Sequence, residues 1–319
     1  ARGAVELAKL LGGGKETRTY RESVVQHFRE PAFEHLYAPY CRRRFGDPAE
    51  VTVNVARLHH AAPGGRLAAF EAGPAARMAE DLEGVEVVLD ADVTSVATGR
   101  VSTRLGDVEG DVFVDAPPQD VVAWLGAAAP PGVDNEVSRL SCRHAVEVTV
   151  KGGASLPFVT HVAHAPFGAY RLVRHGLLPG NGGLAGHVSV QFAADAQDAA
   201  WSGGADALVD EVVRGLHALG ATDAEAAEAR VQRVEDQHPV WSYTTAARLR
   251  QYHLALAEAK IVPVGRAGLF APVDGEGEIA YLTGVATQSA PFKELYRRHV
   301  EPPVVDDDGS ASLTDFVQR

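Results

Sequence analysis

Three apolar runs rich in β-branched residues dominate the middle of the 319-residue chain and constrain its fold more than any other feature. The runs are AVEVTV, FVTHVAH and GHVSVQF, and they lie between residues 141 and 192. Loops containing Gly and Pro separate them, and no long helical period interrupts the segment. Runs of this kind are typical of strands that pair with their sequence neighbours. We therefore expect a mainly antiparallel sheet here.

Helical periodicity and shorter strand-like runs flank this sheet. The predicted helices span 21–44, with a break at Pro31, 67–82, 206–219, 224–229 and 245–259, and a last one begins near Glu278. Two short strands are predicted within 83–99, followed by a hairpin, a buried strand at 112–114 and another apolar strand at 260–264. Helices that alternate with strands outside the central sheet indicate an α/β unit.

Composition excludes several classes of protein. The formal net charge of -12 disfavours nucleic acid as a partner, because the net field repels a polyanion and the longest basic cluster, Arg42 to Arg44, is short. Cys41 and Cys142 lack the spacing of a zinc site or a disulfide scaffold. No apolar run reaches the roughly 18 residues of a membrane span, and no leader pattern is visible. We therefore expect a cytoplasmic protein without a membrane span.

The histidines do not form a recognisable metal site. The pairs His59–His60 and His161 with His164 lack HExxH or His/carboxylate spacing, and His161 and His164 are expected on opposite faces of a strand. No G-x-S-x-G elbow is present. We predict neither a metal centre nor a hydrolase.

Several stretches, in order along the chain, resemble landmarks of one family. They are PAFEHLYAPYCRRRFGDPAEV, LEGVEVVLDADVTSVATGRV with GDVFVDAPP, PFGAYRLVRH, HPVWSYTTAARLRQYHLAL and IVPVGRAG. In this order they are similar to segments of the FAD-dependent superfamily of amine oxidases, protoporphyrinogen oxidases and UDP-galactopyranose mutases. The resemblance covers most of the chain.

The resemblance implies an α/β fold. It consists of a remnant of a Rossmann-like FAD domain, with a parallel sheet incomplete at its N-terminal strand, and a substrate domain of mainly antiparallel sheet and helices. The implied divisions are a helical part of the substrate domain (1–62), an FAD-domain-like segment (63–128), the substrate domain proper (129–258) and a C-terminal FAD-domain-like segment with a tail (259–319).

FAD is the cofactor that the resemblance implies. A backbone contact to the adenine is expected near Val93, and the GRAG turn, with Gly265, Arg266 and Gly268, is expected to meet the flavin and its pyrophosphate. The chemistry is reasonable, because a Gly-rich turn after a strand brings backbone N–H groups close to an anionic ligand, and an arginine offsets its charge.

Four residues are candidates for substrate binding: Tyr170, Arg171, Trp241 and Tyr243. Aromatic and guanidinium groups on adjacent strands can line a pocket for a planar ring or hold a carboxylate bidentately, although aromatic residues in such positions also pack as core. In flavin oxidases the flavin itself accepts the hydride. We therefore assign no single catalytic residue, and expect oxidation of a small organic molecule, as in a biosynthetic pathway.

The sequence departs from the family pattern in two places. No G-x-G-x-x-G motif with a downstream acidic residue occurs in the first part of the chain. The glycine cluster LLGGG comes after a helical pattern and not after an apolar strand, so we interpret it as a loop. Three carboxylates, Asp274, Glu276 and Glu278, follow the GRAG turn, where they would repel a pyrophosphate. A parallel sheet without its central strand leaves unpaired backbone groups.

Several hypotheses account for the missing strand. Another chain supplies the nucleotide-binding piece, a homo-oligomer forms, or an N-terminal segment that belongs to the protein is missing. A further hypothesis is a cofactor-free descendant that acts as a partner subunit or a non-redox enzyme. A flavin-dependent sugar-nucleotide mutase is the alternative enzyme, although the basic residues expected for a pyrophosphate substrate are not evident in the sequence.

Overall fold

A computed structural model describes residues 19–52, 55, 84–164, 167–175 and 184–270 of the chain. Its helices are α1 (Tyr20–Ala32), a π-helical turn (Phe33–Tyr37), α2 (Ala38–Arg44), α3 (Pro118–Leu125), a 3-10 turn (Gly126–Ala128), α4 (Val133–Val137), α5 (Ala199–Ser202), α6 (Ala205–Ala218), α7 (Tyr243–Glu258) and α8 (Gly265–Leu269). Its strands are β1 (Val93–Ala97), β2 (Arg100–Thr103), β3 (Gly106–Glu109), β4 (Val112–Val114), β5 (Cys142–Lys151), β6 (Val159–His161), β7 (Arg171–Arg174), β8 (His187–Ala194), β9 (Glu225–Pro239) and β10 (Ile261–Pro263).

Helix α1 begins with a capping box and is interrupted near the predicted break. The Thr19 hydroxyl accepts a hydrogen bond from the Glu22 N–H, and the Glu22 carboxylate accepts one from the Thr19 N–H. These two bonds satisfy backbone donors at the helix start. Near the end of α1, Arg29 has a positive φ of 70°, two residues before Pro31. The predicted break at Pro31 is therefore confirmed.

Strands β5 to β9 form an antiparallel sheet in the order β6-β7-β8-β5-β9. One face is apolar: Val146, Val148 and Val150 of β5 lie in one core with Val212 and Leu216 of α6. The other face is polar because side chains alternate across a strand. The predicted antiparallel sheet is confirmed.

The rest of the described chain forms a second core around a parallel strand pair. Strand β10 pairs with β4 in parallel, with Ile261 opposite Val112 and Pro263 opposite Val114. Strands β1, β2 and β3, which precede β4 in the sequence, form a separate antiparallel meander. The large side chains of this core include Tyr20, Phe33, Trp241, Tyr252 and Phe270. Parallel and antiparallel sheets with helices confirm the α/β class.

Two predictions of local structure are wrong, and two lie outside the described residues. The segment 224–229 is not helical, and 225–229 belong to β9, which pairs with β5 from Cys142 opposite Pro239 to Lys151 opposite Glu225. The described residues 84–99 contain one strand, not two, since 85–89 are not part of a strand. The helices expected over 67–82 and from Glu278 fall on residues that the structure does not describe.

Candidate functional site

The polar face of the antiparallel sheet is organised around Tyr170 and Arg171 at the start of β7. The Arg171 Nε donates to the Gln191 Oε1 at 2.6 Å, and the Tyr170 hydroxyl is 3.5 Å from the same oxygen. The Tyr170 side chain is buried. The Arg171 and Gln191 side chains are close because the two residues lie opposite each other in the register of β7 and β8. The structure thus brings these two predicted residues together.

A carboxylate on the next strand fixes the orientation of the Gln191 amide. The Gln191 Nε2 donates to the Glu147 Oε2 at 2.7 Å, so the amide oxygen faces Arg171. The other carboxylate oxygen, Oε1, accepts a hydrogen bond from the Ser189 hydroxyl at 2.9 Å. An amide held at both ends cannot rotate without losing a charge-assisted bond. Glu147 and Gln191 therefore position the Arg171 guanidinium.

Helix α2 adds residues that the sequence analysis did not select. The Arg44 Nη1 donates to the Tyr40 hydroxyl at 2.9 Å, and His161 Nδ1 lies 3.1 Å from the same hydroxyl. The rings of Tyr40 and Tyr170 meet edge to face, with centroids 6.3 Å apart. The guanidinium carbons of Arg44 and Arg171 lie 5.2 and 5.9 Å from the Tyr170 ring centroid. Both arginines thus flank one aromatic ring.

Burial and these two cations shift the pKa values of their neighbours. Partial burial, followed by the charges of Arg44 and Arg171, lowers the pKa of His161, so this imidazole is neutral at neutral pH. Burial raises the pKa of the Tyr40 hydroxyl, with Arg44 acting in the opposite direction. Tyr40 therefore remains a protonated phenol, and both groups can take part in hydrogen bonds.

Helix α2 is held on the sheet by a buried arginine. The Arg143 Nη1 donates to the backbone carbonyls of Arg43 at 2.8 Å and Arg42 at 3.2 Å. Its Nε lies 3.1 Å from an Asp195 carboxylate oxygen, and only 10% of the Arg143 side chain is exposed. This clamp fixes the C-terminal end of the helix that carries Arg44.

The other two substrate candidates lie elsewhere. Trp241 is buried in the core around the parallel strand pair, where its indole N–H donates to the Phe270 carbonyl at 2.6 Å. It is not part of the cluster around Tyr170, and its satisfied indole is explained by packing. Tyr243 is the first residue of α7. A role for either in substrate binding stays a prediction.

The GRAG turn lies at the carboxyl end of the parallel strand pair. Gly265 has a positive φ of 67°, and a Cβ there would lie 2.2 Å from the Asp115 carboxyl group. A Cβ on Gly268 would lie 2.2 Å from the Val114 carbonyl oxygen, and the Gly268 N–H donates to Asp115 Oδ1 at 3.3 Å. Packing against Val114 and Asp115 therefore requires glycine at both positions.

These residues fit part of a flavin nucleotide. Ligands of α/β proteins bind outside the carboxyl ends of parallel strands, where Asp115 is exposed, and a carboxylate there can accept hydrogen bonds from sugar or ribityl hydroxyls. The same carboxylate repels phosphate and already takes the Gly268 N–H. Arg266 lies within α8, and Val93 pairs with Thr103 at the end of β1. At this segment the Asp115 carboxylate can therefore accept from a hydroxyl group, whereas it disfavours a phosphate beside Gly268.

The described part of the chain has neither a metal-binding cluster nor a membrane span. Among the described residues, no cluster of three or more His, Cys, Asp or Glu side chains could hold a metal ion. No helix in the described ranges is long and apolar enough to cross a bilayer.

Comparison with solved structures shows the fold that this geometry belongs to. Reduced UDP-galactopyranose mutase superposes with a TM-score of 0.65 at 12% identity, covering 92% of this chain and 72% of that one. A putative protoporphyrinogen oxidase from Exiguobacterium sp. 255-15 gives 0.61 at 18% identity, covering 82% and 66%. Wild-type putrescine oxidase bound to putrescine gives 0.53 at 14% identity, covering 82% and 67%.

The chain therefore shares the fold of these three proteins, as the sequence resemblance implies. It spans about two thirds to three quarters of the length of these structures. No protein-family model matches the sequence, and no curated protein matches it.

Proposed function

We propose that this chain forms the substrate-binding part of an FAD-dependent oxidoreductase that acts on a small organic molecule, as a step of a biosynthetic pathway. The observation that carries the proposal is the ordered polar face of the antiparallel sheet. There Glu147 and Gln191 orient Arg171 beside the buried Tyr170 ring. A network of polar side chains adds little to packing that apolar residues would not supply, whereas a few convergent polar groups are typical of a small-molecule site.

The chain's own residues bind and orient the substrate in this proposal. FAD, when bound, supplies the hydride acceptor. The Arg171 guanidinium and the Tyr40 hydroxyl contact polar groups of the substrate, while the Tyr170 ring covers it and excludes water. Neutral His161 beside Tyr40 can accept or donate a proton at Nδ1 or Nε2.

A nucleotide-binding piece from a second chain or a further segment completes the FAD site in this proposal. Two observations support it: the 319-residue sequence contains no G-x-G-x-x-G motif, and the Gly268 N–H is already bonded to the Asp115 carboxylate. The apolar side chains of Val85, Val87, Val88 and Leu89 are also 54 to 76% exposed, as expected of a surface that another segment covers.

A cofactor-free partner subunit is the second candidate. The observation that favours it is the Asp115 carboxylate at the carboxyl end of β4, which takes the backbone donor expected for a flavin pyrophosphate. Such a subunit would stabilise a complex without carrying flavin. Binding of a UDP-sugar by a flavin-loaded protein would instead favour the mutase.

The role of Asp115 in flavin binding separates these candidates. We compare the flavin retained after gel filtration by Asp115→Ala and by Asp111→Ala, both prepared with the nucleotide-binding partner. Each variant removes one exposed carboxylate near β4, so the net charge changes equally. The proposal predicts at least a tenfold loss of retained FAD in Asp115→Ala and none in Asp111→Ala. Equal retention by the two variants would remove Asp115 from the cofactor site.

A further inference from the structure

Two arginines in the site carry positive charge that no described carboxylate neutralises. Arg171 makes one described hydrogen bond, from Nε to Gln191, and Arg44 makes one, from Nη1 to Tyr40. Within the described ranges, neither guanidinium lies within 4.0 Å of a carboxylate oxygen, whereas Arg21, Arg100, Arg104, Arg143 and Arg248 do. Other described arginines also lack an ion pair, but Arg44 and Arg171 both lie against the ring of the buried Tyr170.

The surroundings of the two arginines do not cancel their charge. The groups that face them are the Tyr40 phenol on α2, His161 on β6, the Tyr170 ring on β7, Gln191 on β8 and, beside Tyr170, the His238 ring on β9. None of these groups is a carboxylate, and the pKa shifts of His161 and Tyr40 keep both uncharged at neutral pH. The nearest described carboxylate in the row, Glu147, is already occupied by Gln191 and Ser189.

Partial desolvation makes an unneutralised charge costly. The Arg44 Nε is buried without a hydrogen-bond partner among the described residues, and both guanidinium groups contact the Tyr170 ring. An unpaired charge in such a place is tolerated when a ligand supplies the opposite charge, because a charge that is both desolvated and unpaired is strongly destabilising. Burial first, and then the charges of Arg44 and Arg171, lower the pKa of His161.

We propose that the substrate carries an oxyanion, a carboxylate or a phosphate group, that binds beside the Tyr170 ring between Arg44 and Arg171. The planar forks of the two guanidinium groups match such an oxyanion, and the Tyr40 hydroxyl lies next to Arg44 as a further partner. Gln191 bonds the Arg171 guanidinium, and Arg143 bonds backbone carbonyls of the helix that carries Arg44. The inference names the substrate class of the proposed oxidoreductase and rests on that function.

The test is a calorimetric titration of the full chain with sodium benzoate and, separately, with inorganic phosphate, at constant ionic strength. Wild-type protein is expected to show saturable binding of at least one of the two anions. Arg171→Gln and Arg44→Gln are expected to raise the Kd at least tenfold. Arg100→Gln, which removes an exposed charge paired with Asp107 on the meander, is expected to leave the Kd unchanged.

Each outcome of the titration decides the proposal. Saturable binding of benzoate alone assigns a carboxylate, and of phosphate alone a phosphate group. Absence of saturable binding of both anions, or equal affinity in wild type, Arg171→Gln and Arg44→Gln, overturns it. If Arg44→Gln loses its circular dichroism spectrum, Arg171→Gln carries the test, since Arg171 has only the Gln191 bond to lose. The titration needs no flavin, so its failure is separable from failure of the proposed function.

Discussion

Replacing Gly268 by alanine distinguishes a glycine required by the fold from one reserved for a cofactor. The added Cβ would lie 2.2 Å from the Val114 carbonyl oxygen, where an ordinary contact needs more than 3 Å. The Val114 carbonyl also accepts the Val264 N–H at 2.8 Å, and Asp115 accepts the Gly268 N–H. Helix α8 must therefore move away from β4 and strain these bonds.

The expected loss of stability follows from these contacts. Overpacking costs roughly 1–3 kcal/mol, and a weakened backbone hydrogen bond costs about 1 kcal/mol. The higher helix propensity of alanine returns about 1 kcal/mol. We expect a net loss of roughly 1–3 kcal/mol, which corresponds to a drop in Tm of about 3–10 °C for a domain of this size.

The assay is thermal unfolding of the flavin-free chain, followed by near-ultraviolet circular dichroism. Gly204→Ala is the matched control, because a Cβ there meets nothing within 4 Å and the φ of Gly204 is −65°. We expect its Tm to change by no more than a degree or two. A Gly268→Ala chain as stable as the wild type, but unable to retain flavin, would refute the structural explanation of this glycine.

Three further predictions concern stability. Gly215→Ala should lower the free energy of unfolding in urea by roughly 1–3 kcal/mol, because the new Cβ would lie 2.0 Å from the Phe167 ring. The clash outweighs the higher helix propensity of alanine. Phe167→Leu should relieve part of the loss. Burial lowers the pKa of His253 to about 3, so the unfolded chain binds a proton below about pH 6.5 that the folded chain refuses. The free energy of unfolding should therefore fall as pH falls from 6.5 towards 3, by up to about 1.4 kcal/mol per pH unit. Unfolding of His253→Leu at several pH values should show a dependence on pH that is shallower by that amount. Arg143→Met should lower the unfolding free energy by about 2–4 kcal/mol. Because the variant releases α2, it should also weaken anion binding at Arg44 in the calorimetric titration. Unchanged anion affinity would contradict the role of Arg143 in fixing α2.

The sequence predicted the antiparallel sheet well because its strands follow a period of two. Val146, Val148 and Val150 alternate with polar residues on β5, and the same alternation occurs on β8. The error at 224–229 has a physical cause, since the run of alanine and glutamate has high helix propensity. Pairing with β5 overrides that propensity. Most side chains of β9 are exposed or half-buried, so no apolar alternation marked it as a strand.

The candidate site was predicted in part. Tyr170 and Arg171 were selected, but Tyr40 and Arg44 were not. Their contacts with Tyr170 depend on the packing of α2 against the sheet, over more than a hundred residues of sequence separation. Local pattern contains no signal of that kind. Glu147 and Gln191 could have been found, because each is a polar residue that interrupts a run of valines on a strand with one buried face.

The visible absorbance of the purified protein tests the central claim most directly. It is measured on the chain alone and on the chain prepared with its nucleotide-binding partner, with mass spectrometry of the molecule released on denaturation. The account predicts a flavin spectrum and released FAD, near one per chain, when the nucleotide-binding piece is present. A colourless protein in both preparations would contradict flavin-dependent catalysis and leave the cofactor-free subunit as the function of this fold.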